Sequence, residues 1–251
     1  MMHLNTKKKL GLLLCSAVVL LAGVRTARAV SGIQNGDFSG NGGSGQLTVN
    51  TTLSDWTGGG HEGGFGSQTT PPVFVFTAGT PFATGDAFMG TVGFYDSPQL
   101  SAPGNGIVVA ADGDPAWAGS LSQTVNGLIV GATYDLTFNW AGAQQQGFSG
   151  ATTESWQVAL GSSTQSTATV NTPSQGFSGW QSATMDFVAT SPSELLNFTA
   201  IGAPSGQPPW LLLNDVQLNA VPEPSSLLMT GLGGVIFVGC RLRHRFRAAK
   251  K

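Results

Sequence analysis

The nine residues "TYDLTFNWA" at 133–141 constrain this chain more than any other stretch. They set Tyr134, Leu136, Phe138 and Trp140 on one side and Asp135, Thr137 and Asn139 on the other, the period of two that a half-buried strand requires. "SWQVAL" repeats the pattern through Trp156, Val158 and Leu160. Strand-like composition recurs in "VFVF" at 73–76, "GIVVAA" at 106–111, "SLSQTV" at 120–125, "ATMDFVA" at 183–189, "ELLNFTAI" at 194–201 and "LLLNDVQL" at 211–218. Gly, Pro, Ser and Asn separate these runs at short intervals, and no stretch carries a helical period. The pattern predicts an all-β domain of two packed antiparallel sheets.

Disulfides do not hold that domain together. The chain has two cysteines, Cys15 and Cys240, and both fall in apolar terminal segments rather than in the body. At about 190 residues the body is long enough to bury a sufficient core without them.

Charge divides the chain more sharply than composition does. All eleven Lys and Arg lie at its ends: Lys7, Lys8, Lys9, Arg25 and Arg28 at the front, and Arg241, Arg243, Arg245, Arg247, Lys250 and Lys251 at the back. Between Val30 and Val221 there are twelve Asp and Glu and no cation of either kind. A body without ammonium or guanidinium groups neutralises no phosphates and releases no counterions, so nucleic acid is excluded as a partner. It also supplies no Lys for a phosphate loop or a Schiff base, and no Arg to clamp a phosphate.

The two ends read as addresses. Lys7 to Lys9 precede an apolar run from Leu10 to Val24, and Ala27-Arg28-Ala29 supplies the small residues that signal peptidase accepts. Residues 1–29 are therefore expected to be a signal peptide recognised by the Sec translocon and removed by signal peptidase. At the other end, Ser225 to Cys240 is uncharged and apolar and is followed at once by the block of Arg and Lys. Sixteen residues make about 24 Å of helix at 1.5 Å per residue, and flanking Arg side chains extend its reach across a bilayer. The bias of Lys and Arg toward the cytoplasmic side puts the basic tail inside and the acidic body outside.

The order Pro222-Glu223-Pro224, short apolar run, Arg-rich tail resembles the PEP-CTERM sorting signal of Gram-negative bacteria. The resemblance covers about the last thirty residues. It implies an exosortase, a membrane cysteine transpeptidase, that recognises Pro222, Glu223 and Pro224 and cleaves there. Arg241, Arg243, Arg245 and Arg247 would retain the substrate in the membrane until then. Two prolines fit such a role, because they keep Glu223 extended and accessible to an enzyme.

A second resemblance is carried by "IQNGDFSG", "SLSQTVNGLIVGATYDLTFNWA" and "LLLNDVQL" in that order. Together they are similar to the galactose-binding-like jelly roll of secreted carbohydrate-binding modules, although Ser39 follows Phe38 where an acidic residue often stands. The resemblance implies a jelly-roll sandwich whose first and last strands lie near each other. It further implies a structural calcium held by Asp37 and Asp215; no other cofactor is called for.

Candidate chemistry in the body is sparse. His61 is its only histidine, in the glycine-rich "TGGGHEGGFG", and a histidine metal cluster is excluded. "GFSG" at 147–150 and at 176–179 is not a nucleophile elbow and reads as a turn. Glycoside hydrolysis needs two carboxylates, and no spacing singles out a pair. Asp112 and Asp114 in "ADGDPAW" read as an acidic turn. Trp117 and Trp210 follow Pro in loop-like contexts, which makes them better candidates for an exposed sugar platform than the strand residues Trp140 and Trp156; packing beneath a loop is the competing arrangement. Gln144 and Gln145 would supply amide hydrogen bonds to a ligand, or simply solvate a loop.

The organisation expected is a signal peptide (1–29), an exported β-sandwich (30–220) and a sorting signal (221–251) made of motif 222–224, membrane segment 225–240 and basic tail 241–251. The expected function is a non-enzymatic surface or extracellular-matrix protein, anchored in the inner membrane before processing and binding extracellular polysaccharide. A secreted hydrolase with an unrecognised carboxylate pair is the alternative.

Overall fold

The computed structural model of the chain describes residues 32–60, 70–85 and 90–221. Its strands, in order, are β1 (Gly45–Gln46), β2 (Thr57–Gly60), β3 (Val73–Phe76), β4 (Phe82–Thr84), β5 (Thr91–Gly93), β6 (Val108–Asp112), β7 (Gly119–Asn126), β8 (Thr133–Gln144), β9 (Thr152–Leu160), β10 (Ser163–Ser166), β11 (Val170–Thr172), β12 (Gln181–Val188), β13 (Ser193–Ala203) and β14 (Pro209–Ala220). One turn of 3-10 helix occupies Pro98–Ser101. No helix among the described residues is long and apolar enough to cross a membrane.

Two antiparallel sheets form the sandwich. One has the order β1-β3-β6-β14-β8-β12, and the other runs β10-β9-β13-β7-β2 with β11 also paired to β9. Every strand run predicted from the sequence lies in one of these two sheets. The period of two is visible where one face meets solvent: β7, β9 and β13 alternate buried and accessible positions along their length. Their inward side chains meet those of the facing sheet in one core containing Leu136, Phe138, Trp140, Trp156, Val158, Phe198, Leu211 and Leu213. Phe198 sits edge-on to Phe138 at 5.1 Å and to Trp156 at 5.8 Å, between ring centroids. Trp156 Nε1 donates to the carbonyl oxygen of Leu212 at 3.3 Å, so the buried indole N–H is satisfied across the two layers.

The sheet that contains β3, β6, β14 and β8 departs from simple alternation. β3, β6 and the first half of β14 are buried on both faces, and β8 changes from alternating to continuously buried after Trp140. A second apolar cluster lies on that sheet's outer side, made of Phe74, Phe76, Phe94, Ala110, Ala141, Trp210 and Leu212 with Ala83 and Val92 of the β4–β5 hairpin. Phe177 and Trp180 pack against it from the segment leading into β12, and Trp180 Nε1 donates to Pro98 O at 3.1 Å. Chain that the sequence presents as glycine- and proline-rich connection thus forms a third layer. Burial of each large side chain there contributes about 1.5–3 kcal/mol.

The chain ends of the domain lie side by side. Val216 N donates to Gly36 O at 2.8 Å, and a Cβ added at Gly36 would come 2.0 Å from Val216 O, so no larger residue fits this approach. The first and last segments are therefore neighbours, as the jelly-roll resemblance implies.

Candidate functional site

The outer face of the sheet that contains β7, β9 and β13 carries no charge and is largely polar, with Leu195 and Ile201 as its exposed apolar side chains. Register places Thr57, Ser122, Asn197, Ala159 and Thr164 in one row across β2, β7, β13, β9 and β10. Gly59, Ser120, Thr199, Gln157 and Ser166 make the next row, while Thr124 stands opposite Leu195. These are the solvent-side positions of their strands, because the alternate residues Leu121, Trp156, Val158, Leu196 and Phe198 enter the core. Asn197 Nδ2 donates to Thr199 Oγ1 at 2.9 Å, which fixes one amide along the strand.

Beside this face β2 stops opposite Ser122, whereas β7 continues to Asn126. The resulting notch is a cavity of about 430 Å³ lined by Gln34, Asp55, Thr57, Ser122, Thr124, Asn126 and Leu195, with Trp56 and Gln123 beneath. Its floor is rigid. Buried Gln123 donates from Nε2 to Gln34 O at 2.8 Å and Asp55 O at 3.0 Å, and its Oε1 accepts from Gln34 N at 2.8 Å. Trp56 Nε1 donates to Asn35 O at 3.0 Å, and the ring packs at 5.6 Å from Phe38. Asp55, exposed and with a left-handed backbone (φ 67°), adds the one acidic residue of the lining. A half-exposed Leu195 adds the one apolar patch in the lining.

This arrangement offers hydroxyl and amide donors and acceptors, and one carboxylate at Asp55, around one small apolar surface. Those are complements to a neutral polyol, whose ring hydroxyls need directional partners and whose C–H faces do not.

Among the described residues, the buried acidic side chains Asp112, Asp114 and Glu154 are engaged by internal hydrogen bonds. Asp112 is buried, accepts from Asp114 N at 2.8 Å, and has its carboxyl pushed up to about 8 by burial and by the neighbouring Asp114 charge. Asp114 accepts from Ala116 N, Ser205 Oγ and Gly206 N. Glu154 is held by the hydroxyls of Thr152 and Thr172 beneath Gly142, where an added Cβ would lie 2.5 Å from Glu154 Oε2; burial pushes this carboxyl up to about 7. Asp135 and Asp186 stand directly opposite on β8 and β12, and Asp135 is raised mainly by a hydrogen bond to Asp186.

The residues singled out in the sequence are distributed differently from expectation. Trp210 is not exposed: it is fully buried in β14, 5.5 Å from Phe74 and 5.6 Å from Phe94, and its Nε1 donates to Gln145 Oε1 at 3.1 Å. Gln144 is likewise buried, donating to Gly150 O at 2.7 Å and accepting from Gln175 N at 2.6 Å. Gln145 is half-buried as the partner of Trp210. The causes differ: the third layer covers the outer face that carries Trp210, whereas Gln144, on the other face of β8, is enclosed by its bonds to the segments at Gly150 and Gln175. Trp117 is half-buried in the turn after Asp114, with its N donating to Asp114 O at 2.8 Å. No Trp platform forms from these residues.

Asp37 and Asp215 come into the same region through the Gly36–Val216 bond, but their carboxylates serve local bonds. Asp37 Oδ1 accepts from Ser39 N and Oγ, and Asp215 Oδ1 accepts from Gln217 Nε2. Asp215 sits in a bulge of β14 with φ 52°, which displaces it from the strand's alternation. No group of three His, Cys, Asp or Glu able to hold a metal occurs among the described residues. His61, the 222–224 motif and the Arg residues from Arg241 onward lie outside the described residues.

The residues that line the notch were legible in one respect. In "SLSQTVN" the solvent-side set Ser120, Ser122, Thr124 and Asn126 is uncharged throughout. Nothing local marks Gln34, Asp55 or Thr57 as their neighbours.

No family model and no curated protein matches the chain. Solved structures with a similar chain path include TmCBM61 in complex with β-1,4-galactotriose, at 15% identity and a TM-score of 0.45 over 76% of this chain and 99% of that one. They also include a CBM4 structure, at 16% identity and a TM-score of 0.36 over 75% and 99%, and the enzymatically active domain of bacteriophage CBA120 tailspike protein 4, at 15% identity and a TM-score of 0.34 over 76% and 22%.

Proposed function

We propose that this chain is an exported surface or matrix protein whose β-sandwich binds a neutral polysaccharide in the notch beside β7 and along the adjoining uncharged rows. The observation that carries the reading is the combination of a cavity lined by hydroxyls and amides, with one carboxylate at Asp55, and an adjoining sheet face free of charge. The body's twelve acids and lack of cations support the choice of a neutral polymer, because a negative field repels uronate or sulfate chains. Binding without catalysis accords with the commitment of the buried carboxyls to internal partners.

Electrophoresis of the exported protein through gels containing a neutral galactan or glucan should show retardation, and gels containing a uronate polymer should show none even at low salt. Each hydrogen bond lost from a site contributes about 0.5–1.5 kcal/mol, so the double variant Thr124→Ala, Asn126→Ala should weaken binding about tenfold without moving the melting temperature. Retention by no neutral polymer, or equal retention of the variant, would reject the notch. Release of reducing ends would instead establish a hydrolase.

The terminal segments supply the route. A signal peptide exports the body, and the PEP-CTERM-like signal at Pro222-Glu223-Pro224 holds the chain at the membrane until an exosortase cuts it. Mass spectrometry of released protein should find a C-terminus between Pro222 and Ser226. Released molecules that retain Lys251 would defeat this part of the reading.

A further inference from the structure

At the end of the domain where the chain leaves for its C-terminal segment, three apolar side chains stand in solvent. Ile129 is 64% exposed, Val130 57% and Val188 53%. They lie together: Gly131 N donates to Ala189 O at 2.8 Å, Ala189 N donates to Ala132 O at 3.0 Å, and Val188 pairs with Thr133. The turn between β7 and β8 that presents Ile129 and Val130 is braced. Ile129 N donates to the hydroxyl of buried Tyr134 at 2.8 Å, and Leu128 N donates to Pro192 O at 3.0 Å. Gly127 and Gly131, at φ 79° and 86°, supply the left-handed corners of this turn. No charged residue occurs from 127 to 134 or from 187 to 193.

Both ends of the described domain reach this pole. Val221 N donates to Thr133 O at 2.9 Å, and Ala220 pairs with Tyr134. Gly32, the first described residue, packs against Val125 and Leu218. Beyond Val221 the sequence becomes apolar at Ser225, four positions later, which is at most about 14 Å of extended chain. The uncharged run to Cys240 and the six cations after it follow directly.

We propose that Ile129, Val130 and Val188 form a membrane-contact tip that seats this pole of the sandwich on the outer surface of the bilayer holding the C-terminal segment. The inference rests on the reading that 225–240 enters that bilayer. The tip is too small to attach a free domain, and with no basic residue near it draws nothing from anionic headgroups. Tethering converts its contact into an intramolecular one, where a small apolar surface suffices to set orientation. Seated this way, the sandwich holds the Pro222-Glu223-Pro224 stretch at the water–lipid boundary and turns the opposite pole, with the β8–β9 turn at Phe148, away from it. β8 alone spans about 40 Å between these poles at ~3.3 Å per residue.

The test uses the full chain after signal removal, with Cys240→Ser, reconstituted in phosphatidylcholine vesicles containing nitroxide-labelled lipid. A bimane fluorophore is placed at Ile129→Cys in one sample and at Phe148→Cys in another. Co-flotation with the vesicles, with quenching at 129 at least threefold greater than at 148, supports the proposal. Co-flotation with equally weak quenching at both sites overturns the tip while leaving the anchor intact. Failure to float overturns the anchor reading and the tip with it. If 129 is shielded equally in unlabelled vesicles and dimers are captured by cross-linking at that position, a second copy covers the patch and the lipid assignment is overturned.

Discussion

Trp210→Ala is expected to remove about 3–5 kcal/mol of folding stability, the range for truncating a fully buried large aromatic. The indole fills the centre of the outer apolar cluster, against Phe74 and Phe94, and its N–H is the partner of Gln145 Oε1. Truncation opens a cavity between β14 and the third layer and leaves that amide oxygen unpaired. Against a domain stability of about 5–15 kcal/mol, such a loss moves the denaturation midpoint far. Trp210→Phe keeps most of the packing and is expected to cost about half as much. Chemical denaturation of the three proteins measures the series. A Trp210→Ala protein as stable as the parent but unable to bind polysaccharide would mean that the ring is an exposed platform after all.

Raising the pH from 5 to 8.5 is expected to destabilise the domain, against the usual direction for carboxylates. Asp112 is raised to about 8, first by burial and then by the Asp114 charge, and Glu154 is raised by burial to about 7. The folded protein therefore binds more protons than the unfolded chain over the window between ordinary carboxylate values and about 7–8. Stability falls with pH wherever the native state holds the extra protons. The contribution is fully present below about pH 4 and is lost as pH climbs through the folded values, on the order of a few kcal/mol in all. Asp112→Asn keeps the oxygen that accepts from Asp114 N, and Glu154→Gln keeps the shape under Gly142. The double variant should show a much flatter dependence of its urea midpoint on pH. A wild-type midpoint that rises through this window would contradict the assignment of these acids as protonated in the fold.

The sandwich is the part most accessible from local pattern. Each predicted run became a strand because alternation records which face of a single strand meets the core, and that information is local. The short strands β1, β2, β4, β5, β10 and β11 escaped notice: at two to four residues, several of them rich in Gly or Ser, they carry too few side chains to show a period. Trp210 and Gln144 were misplaced for a different reason. Pro208 and Pro209 before the Trp, and the Gln run after Ala143, have loop-like neighbours, yet register sets Pro209 opposite Gln144 as the terminal pair of a long β14–β8 ladder, which carries both strands that far. The notch was readable only in half, through the uncharged alternate positions of β7; Gln34 and Asp55 reach it from more than sixty residues away by hydrogen bonds to Gln123.

By itself the sequence determined an all-β body without disulfides, confined its cations to the two ends and left the body unable to hold polyanions. These follow from residue type and spacing, which no packing arrangement alters. Only the tertiary structure decided that one sheet is covered on both faces, that its Trp and Gln residues are core, and that the other sheet's bare hydroxyl face borders a cavity. Those outcomes depend on which distant segments lie together, and a strand's own residues record that it has a buried side without recording what buries it.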